Sequence, residues 1–312
     1  MGINELGFNK GINLGGWMSQ CDYSEDRLDN FIKDSDFAVI KSWGLDHVRL
    51  PVDYNVLEER EDGMSRVRRA VDAARSCGLN VVIDLHKTAG YSFDEGENES
   101  GFFDNAAYQE RFYNLWECLA KEFGDDPGHI MFDILNEITD KGVLTSWQRI
   151  AAECVRRIRI HAPETYILVG SYNYNDVRAL SDLELPDDEH LVLSFHCYEP
   201  HFYTHQGAYW STDIDQDRRV TFEEAGLGED YFDKLFESAL AKSARESRSL
   251  YCGEFGVIDV VPPEDALKWF KTIHKAFEKY NIARAVWSYK EMDFGLVDAR
   301  MDGVRAELLQ YL

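Results

Sequence analysis

The stretch Ile130-Met131-Phe132-Asp133-Ile134-Leu135-Asn136-Glu137 carries the clearest evidence for the fold of this chain. Its first half is an apolar run, typical of a strand that is buried on both faces. Its last two residues, Asn136 and Glu137, are strongly polar and place an acid at the rim of a sheet. The stretch Ser249-Leu250-Tyr251-Cys252-Gly253-Glu254-Phe255-Gly256 has the same pattern and ends on a second acid. We therefore expect Glu137 and Glu254 to face each other across one cleft.

The size of the chain allows either one large α/β domain or two ordinary ones, since it has 312 residues. Hydrophobic residues make up 45% of it and aromatic residues 13%, which is ample for a large core. No apolar stretch reaches the roughly 18 residues that a membrane-spanning helix needs. No signal peptide is visible at the start, and the compartment therefore stays open between secreted, with the signal removed, and cytoplasmic.

The composition is strongly acidic, with 57 Asp and Glu against 33 Lys and Arg and a formal net charge of −24. Such a surface repels phosphate backbones and anionic lipid, so we expect no nucleic-acid or membrane partner. It suits an uncharged substrate and a soluble monomer. None of the six cysteines forms a Cys-x-x-Cys motif, and we expect buried free thiols rather than a disulfide scaffold.

Strand-like apolar runs alternate with helical patterns from end to end. Eight such units favour a closed (β/α)8 TIM barrel over an open doubly wound sheet. No Gly-x-Gly-x-x-Gly follows a strand, which weakens the dinucleotide-binding alternative. We expect one domain over residues 1–312, with 199–248 as a short lid-like loop and helix over the barrel mouth. The predicted strands are 11–14, 47–51, 81–86, 130–137, 166–170, 191–196, 249–256 and 283–289.

Polar or aromatic residues occur at seven predicted strand ends, although an apolar run precedes each of them. In a TIM barrel these ends meet at the face that carries the chemistry. Seven strand ends with this feature are hard to attribute to structure alone. The residues are Asn13, Arg49, His86, Asn136 with Glu137, His196 with Tyr198, Glu254 and Trp287.

Two carboxyl groups that converge on one cavity are the arrangement for glycoside hydrolysis, in which one is protonated and the other is ionised. Arg49 is expected to favour the charged form of Glu254, and Tyr198 to donate a hydrogen bond to the same carboxylate. Asn136 is expected to hold a sugar 2-hydroxyl, and Trp287 offers a flat apolar face to a pyranose ring.

Purely structural roles stay open for several of these residues. Arg49 is also explained by a structural ion pair, His86 and His196 by satisfied burial, and Trp287 by core packing. Trp116, Trp147 and Trp269 lie on apolar helical stripes and are assigned to the core.

At these residues the sequence resembles glycoside hydrolase family 5 over essentially the whole chain. The set is specific because the short motifs occur in this order on successive strand ends. The motifs are Asn13-Leu14-Gly15-Gly16-Trp17, His47-Val48-Arg49-Leu50-Pro51, Asp84-Leu85-His86, Leu135-Asn136-Glu137, His196-Cys197-Tyr198, Gly253-Glu254-Phe255-Gly256 and Trp287-Ser288-Tyr289-Lys290.

The resemblance implies a retaining endo-β-1,4-glucanase, similar to single-domain bacterial enzymes that cut cellulose-type or mixed-linkage β-glucan without a metal or other cofactor. It implies Glu137 as general acid/base, Glu254 as nucleophile and Lys290 as a contact to a more distant glucose. The segment after strand six is shorter than in similar enzymes, which leaves the aromatic contacts to the leaving group unassigned. The implied contacts to the sugar being cleaved are Arg49, His86, Asn136, His196, Tyr198 and Trp287.

Three other functions stay open. A mannanase or an exo-β-1,3-glucanase fits the same scaffold, and the shape of the cleft distinguishes them. A metal-dependent hydrolase would use His86, His196 and Glu137, although their spacing is not typical of a metal site. A non-catalytic carbohydrate-binding barrel would not need both glutamates.

Overall fold

The computed structural model describes residues 2–94, 97, 99–212 and 214–312 of the chain. In this part of the chain, eight parallel strands pair in sequence order and the last pairs with the first, which closes a barrel. The predicted (β/α)8 TIM barrel is thereby confirmed. The strands are β1 Lys10–Asn13, β2 His47–Asp53, β3 Asn80–Lys87, β4 Ile130–Asp133, β5 Tyr166–Val169, β6 Leu191–Cys197, β7 Leu250–Phe255 and β8 Ala283–Val286.

Each predicted strand is present, but two of them end three or more residues earlier than expected. β4 ends at Asp133 and β8 ends at Val286, so that Asn136, Glu137 and Trp287 lie in the loops beyond. These residues lie beyond the paired part of the strands, at the barrel mouth. Glu137 and Trp287 line the cleft there, whereas Asn136 is buried beneath it.

Six long helices surround the barrel in the described ranges and account for most of the predicted helical stripes. The shorter helices before residue 305 were not predicted, because three to six residues are too few to show a helical period. The long helices are α1 Asp34–Ser42, α2 Gly63–Ser76, α3 Ala106–Phe123, α4 Leu144–Ile158, α5 Tyr231–Glu246 and α6 Pro263–Tyr280. The short α-helices include Glu25–Asn30, Tyr54–Glu58, His201–Thr204 and Arg305–Leu308, and 3-10 helices include Lys141–Val143, Val177–Asp182, Ala299–Met301 and Leu309–Tyr311.

Three buried tryptophans connect the outer helices to the loops at the barrel mouth. Each indole N–H donates to a backbone carbonyl just beyond a strand, and each ring is fully buried, as predicted. Because a buried indole N–H needs a partner, each bond fixes the ring and the loop together. The pairs are Trp116 with Ile134, Trp147 with Gly170 and Trp269 with Glu199, all at 2.9 Å.

The other end of the barrel is filled with apolar side chains. Ile3 and Phe8 from the N-terminal segment cover it and pack against inward-facing residues of the strands. Water is excluded there, so the charged side chains inside the barrel lie toward the mouth. The inward-facing residues of this cluster are Val82, Met131, Leu168, Val192, Tyr251, Ala283 and Ala285.

The segment 199–248 divides into two parts. Its first part is irregular apart from His201–Thr204, and it supplies residues to the barrel mouth. Its helix, α5, belongs to the outer ring rather than to a lid, because Phe236 packs against Phe195 of β6 and Phe277 of α6. Only the irregular part therefore lies at the mouth.

The cysteines are all free, as expected, but not all are buried. Cys154, Cys197 and Cys252 are buried, whereas Cys118 is exposed on α3. The expectation of burial was wrong for Cys118, because it lies next to the apolar stripe of α3 and not within it, and Cys21 and Cys77 are only half-buried. No helix in the described part of the chain is both long and apolar enough to cross a membrane.

Candidate active site

Glu137 and Glu254 lie at the mouth of the barrel and approach each other closely. Glu254 is the fifth residue of β7, and Glu137 lies four positions beyond the end of β4. One carboxylate oxygen of each lies within 4.8 Å of the other. Glu137 is 8% exposed and Glu254 is 5% exposed, so both are largely withdrawn from solvent yet open to the cleft.

Arg49 connects Glu254 to Asn136, the residue that precedes Glu137. It is completely buried on β2, and its Nη1 donates to Oε1 of Glu254 at 2.8 Å. Its Nη2 donates to Oδ1 of Asn136 at 2.9 Å, and its Nε donates to Oδ2 of Asp133 at 3.0 Å. The planar guanidinium therefore orients both strand-end motifs, which supports a structural and a functional role at once.

Glu254 is held from a second side by Tyr198, whose hydroxyl donates to Oε2 at 2.8 Å. Burial raises the pKa of Glu254, while the Arg49 charge and the Tyr198 hydrogen bond oppose that rise. These groups favour the charged carboxylate that a nucleophile requires.

Glu137 has the opposite electrostatic environment. Burial raises its pKa well above the usual range, and the nearby charge of Glu254 raises it further. His196 places Nδ1 2.7 Å from Oε1 of Glu137, and burial together with Arg49 lowers the pKa of this histidine well below its usual value. A neutral histidine does not supply the positive charge that would ionise Glu137. This environment therefore favours the protonated form of the carboxyl group, which is the form that a general acid requires.

The backbone of Glu137 is fixed by Tyr91. The Tyr91 hydroxyl donates to the carbonyl oxygen of Glu137 at 2.7 Å and accepts a hydrogen bond from the backbone N–H of Thr139 at 2.9 Å. This contact was not predicted, because Tyr91 follows β3 in a loop that has no periodic pattern.

His86 forms part of the wall of the cleft and stacks on Trp287. Its Nδ1 lies 2.6 Å from Oδ2 of Asp84 and its Nε2 lies 3.2 Å from Oε1 of Gln20. The ring is parallel to the Trp287 indole at 5.8 Å between centroids. Burial lowers the pKa of His86 to about 4. Both nitrogens of His86 are engaged, and His86 is not one of the three residues, Glu137, His196 and Glu254, whose possible ligand atoms lie within 4.8 Å of one another.

Trp287 is positioned by the glycine-rich motif after β1. A Cβ atom on Gly15 would lie only 2.6 Å from the indole ring, so only glycine fits beneath it. Trp287 consequently presents its ring to the cleft.

Asn136 accepts from Arg49 through Oδ1, while its Nδ2 has no protein partner in the described ranges. A buried amide donor of this kind is costly unless something binds it. An acceptor oxygen of a bound ligand would satisfy this donor.

Lys290 does not reach the cleft. Its Nζ donates to the carbonyl oxygen of Phe31 at 3.0 Å and lies over the Phe31 ring. Lys290 is not among the residues that line the cleft, and its contact with a distant glucose stays a prediction.

The cleft has a volume of about 730 Å³ and includes residues that sequence reasoning did not find. Tyr174 and Trp210 are each 42% exposed at its rim. Neither follows a strand directly, so no strand-end pattern indicates them. The other lining residues that were not predicted include Gln20, Phe93, Asp94, Asp176, Arg178, His205, Tyr209, Met292, Asp293 and Phe294.

Comparison with known proteins identifies the family. Residues 8–293 match the cellulase family, glycosyl hydrolase family 5. The chain belongs to this family. It is therefore a glycoside hydrolase, and retention of anomeric configuration is general to family 5.

Proteins similar to this chain come from several bacteria. Cellodextrinase A of Ruminococcus flavefaciens is 53% identical over 90% of this chain and 85% of its own length. Endoglucanase C of Acetivibrio thermocellus is 33% identical over 98% of both chains. Cel5A of Thermotoga maritima, solved with mannotriose, superposes with a TM-score of 0.82 at 25% identity and covers 98% of each chain.

Proposed function

We propose that this family 5 enzyme is a retaining endo-β-1,4-glucanase that hydrolyses internal bonds of cellulose-type or mixed-linkage β-glucan. The proposal depends above all on the separation of Glu137 and Glu254, whose nearest oxygens lie within 4.8 Å. Retaining glycosidases hold their carboxyl groups about 5–5.5 Å apart, whereas inverting enzymes need about 6.5–9.5 Å to admit a water molecule. The separation supports a covalent glycosyl-enzyme intermediate.

In the first step, Glu137 donates its proton to the glycosidic oxygen while Glu254 attacks the anomeric carbon. The bond from that carbon to the leaving oxygen breaks, and an ester between sugar and Glu254 forms. Arg49 and Tyr198 each hold one oxygen of Glu254. They orient the attacking lone pair and stabilise the anion before attack.

In the second step, the charge of Glu254 is lost to the ester bond. That charge contributes to the raised pKa of Glu137, so its loss lowers the pKa. Glu137, ionised after the first step, then removes a proton from water. The water attacks the anomeric carbon, and Glu254 leaves as a carboxylate.

The sugar being cleaved is proposed to lie between Trp287 and Asn136. The Trp287 ring gives the pyranose an apolar face, and Nδ2 of Asn136 is free of protein partners in the described part of the chain. A 2-hydroxyl bonded there would gain strength as the ring flattens toward the transition state. His86 and His196 complete the wall.

The leaving-group side is proposed to lie along Tyr174 and Trp210. The backbone N–H of Tyr174 donates to the carbonyl oxygen of Ile138 at 2.9 Å, which anchors this loop beside the residue that follows Glu137. A cleft of about 730 Å³ with aromatic residues on its rim has room for more than one sugar ring. This arrangement favours an oligomeric or polymeric glucan.

The acidic surface supports an uncharged polysaccharide partner and a monomeric enzyme without nucleic-acid or membrane contacts. Light scattering after size-exclusion chromatography tests the monomer. A dimer at micromolar concentration would contradict it.

The main experiment is reducing-sugar release from carboxymethyl cellulose, lichenan, laminarin and mannan, together with viscosity loss and product anomer by NMR. The proposal predicts rapid viscosity loss on the β-1,4-linked glucans and a β-anomer as first product. Glu254→Ala should abolish turnover with its circular dichroism spectrum unchanged. Release of the α-anomer, or undiminished activity of that variant, would contradict the proposal.

A second candidate is the hydrolysis of short cellodextrins, which the name of the 53% identical relative favours. The same panel separates the two activities when cellotriose to cellohexaose are added. Turnover of these oligomers without viscosity loss would favour a cellodextrinase. Mannan stays in the panel because a structural neighbour was solved with mannotriose.

A further inference from the structure

Two aspartates lie directly behind Arg49 and take no part in the steps above. Asp84 on β3 and Asp133 on β4 are paired in register, and neither is accessible to solvent. Both contact the same Arg49 guanidinium that holds Glu254. Their position raises the question of what charge they carry.

The contacts of the two aspartates converge on one guanidinium. Oδ2 of Asp133 lies 3.0 Å from Nε of Arg49, and Oδ2 of Asp84 lies 3.1 Å from Nη2. Asp84 also meets Nδ1 of His86 at 2.6 Å. In each aspartate, Oδ1 is buried and has no hydrogen-bond partner within the described ranges. An ionised carboxylate would leave that oxygen charged and unsatisfied, which is costly.

The charges around Arg49 do not balance if every acid is ionised. Asp84, Asp133, Glu137 and Glu254 then surround one permanent cation, because burial keeps the nearby histidines neutral. A buried carboxyl group that has no partner of opposite charge keeps its proton, because burial disfavours the charged form. Glu137 retains one as the general acid, and the remaining excess falls on the other three carboxyl groups.

The two aspartates are the natural place for the second proton. Burial raises the pKa of each to about 7 against the opposing effect of Arg49, and the charge of Asp84 raises that of Asp133 further. Glu254 is instead held in its charged form by Arg49 and Tyr198. The groups that face the aspartate pair from the surrounding elements are Arg49, His86, Glu137, Tyr251 and Glu254.

We propose that Asp84 and Asp133 share one proton over the pH range of activity, so that the pair carries a single negative charge. A second negative charge behind Arg49 would offset the attraction that Arg49 exerts on Glu254. The shared proton therefore keeps the nucleophile ionised. Asp84 and Asp133 are positioning residues that act on the reaction through Arg49.

Infrared spectroscopy tests the proton directly, and a Glu137→Gln background removes the signal of the general acid. At neutral pH this variant should show the C=O stretch of a protonated carboxyl group. Adding either Asp84→Asn or Asp133→Asn should remove that band, because the remaining aspartate becomes ionised. The absence of the band in Glu137→Gln, or its persistence in both double variants, would overturn the proposal.

Asp53 provides the matched control. It is also buried, and burial raises its pKa. Its carboxylate accepts hydrogen bonds from the Tyr23 hydroxyl and the backbone N–H of Gln20 instead of from Arg49. Asp53→Asn should leave the band of the pair intact. A pH titration of the band in Glu137→Gln alone needs no aspartate variant to fold, and a band absent throughout the active range would contradict the proposal.

The pH profile of kcat/KM supplies a second readout, and this one rests on the proposed role of Glu254. The double variant Asp84→Asn/Asp133→Asn removes the negative charge, so Arg49 should lower the pKa of Glu254 and move the acidic limb down by about one pH unit. Each single variant keeps one negative charge and should leave the limb in place. Equal half-shifts in the two single variants would mean that both aspartates are ionised.

The infrared result does not depend on turnover, so failure of the shared proton and failure of the proposed function are distinguishable.

Discussion

Tyr198 donates a hydrogen bond of 2.8 Å to Oε2 of Glu254, the carboxylate oxygen that Arg49 does not hold. The phenol is itself tied to β6, since Tyr198 follows directly after this strand. Burial raises the pKa of Tyr198 well above its usual range, so the hydroxyl keeps its proton and can only donate to the carboxylate. The bond therefore stabilises the charged form of Glu254 and fixes its orientation.

Replacement of Tyr198 by phenylalanine should weaken the nucleophile without changing the fold. A hydrogen bond to a charged group contributes about 1.5–3 kcal/mol, so kcat/KM should fall by about one to two orders of magnitude. Because the lost bond lowered the pKa of Glu254, that pKa should rise. Activity should then be lost at a higher pH as the solution is acidified. The measurement is kcat/KM against pH on cellotetraose.

Tyr172→Phe is the matched control for this change, because the Tyr172 hydroxyl bonds Asp182 at the surface. Its pH profile should match that of the unmodified enzyme. An acidic limb that stays in place in Tyr198→Phe would show that Arg49 alone sets the ionisation of Glu254.

Removal of the acid should affect substrates according to their leaving groups. Glu137→Ala should lower kcat/KM on cellotetraose by about 10²–10⁴-fold, because the sugar leaving group must be protonated. Dinitrophenyl cellobioside leaves as a stable anion without a proton, so its first step should be far less affected. Burst kinetics on that substrate measure the first step separately from the second.

Glu254→Ala is the control, since loss of the nucleophile should abolish turnover of both substrates. Equal losses on both substrates in Glu137→Ala would contradict the role of Glu137 as proton donor.

A stability prediction concerns Trp116, whose indole N–H holds the carbonyl oxygen of Ile134 between β4 and Glu137. Trp116→Phe leaves that buried carbonyl without its donor and opens a cavity, so unfolding free energy should fall by about 2–4 kcal/mol. Urea unfolding followed by fluorescence measures the change. Trp210→Phe, at an exposed site, should change it by less than about 0.5 kcal/mol, and an equal loss in the two variants would contradict the assignment.

The barrel and the two glutamates were predictable because both depend on local sequence patterns. Apolar runs that end in polar residues identify strands whose ends meet at one face, and this applies to Glu137, Glu254 and Arg49 alike. Asp133 was assigned no role because it lies within an apolar run. A charged residue inside a buried strand is nevertheless itself an indication of an ion pair. Its partner, Arg49, lies more than eighty positions away in sequence.

The rim of the cleft was not predictable in the same way. Tyr174 and Trp210 lie in irregular segments, where no period relates one residue to the next. The backbone of Tyr174 has φ of 57°, which sequence patterns do not indicate for a tyrosine. Contacts between loops place such residues, and only the folded chain brings them together.

The last prediction concerns this rim. Asn173, Tyr174 and Asn175 all have positive φ, an unfavourable backbone that persists where surrounding contacts impose it. Here the backbone N–H groups of Asn173 and Tyr174 donate to the carbonyl oxygens of Thr139 and Ile138. The tyrosine ring is thereby held at the cleft beside the acid.

Tyr174 and Trp210 are proposed to bind sugar rings beyond the scissile bond. Tyr174→Ala and Trp210→Ala should therefore each lower kcat/KM on cellohexaose by up to about tenfold, because each loses about 1 kcal/mol of ring contact. Aryl cellobiosides place no sugar on that side and should be affected less. Phe202→Ala is the matched control, because Phe202 is 40% exposed nearby but is not a lining residue of the cleft. Since the ring contacts contribute to binding before and during reaction, the loss should appear in KM more than in kcat. Equal losses on long and short substrates would instead mean that both residues maintain the conformation of the loop and do not bind sugar.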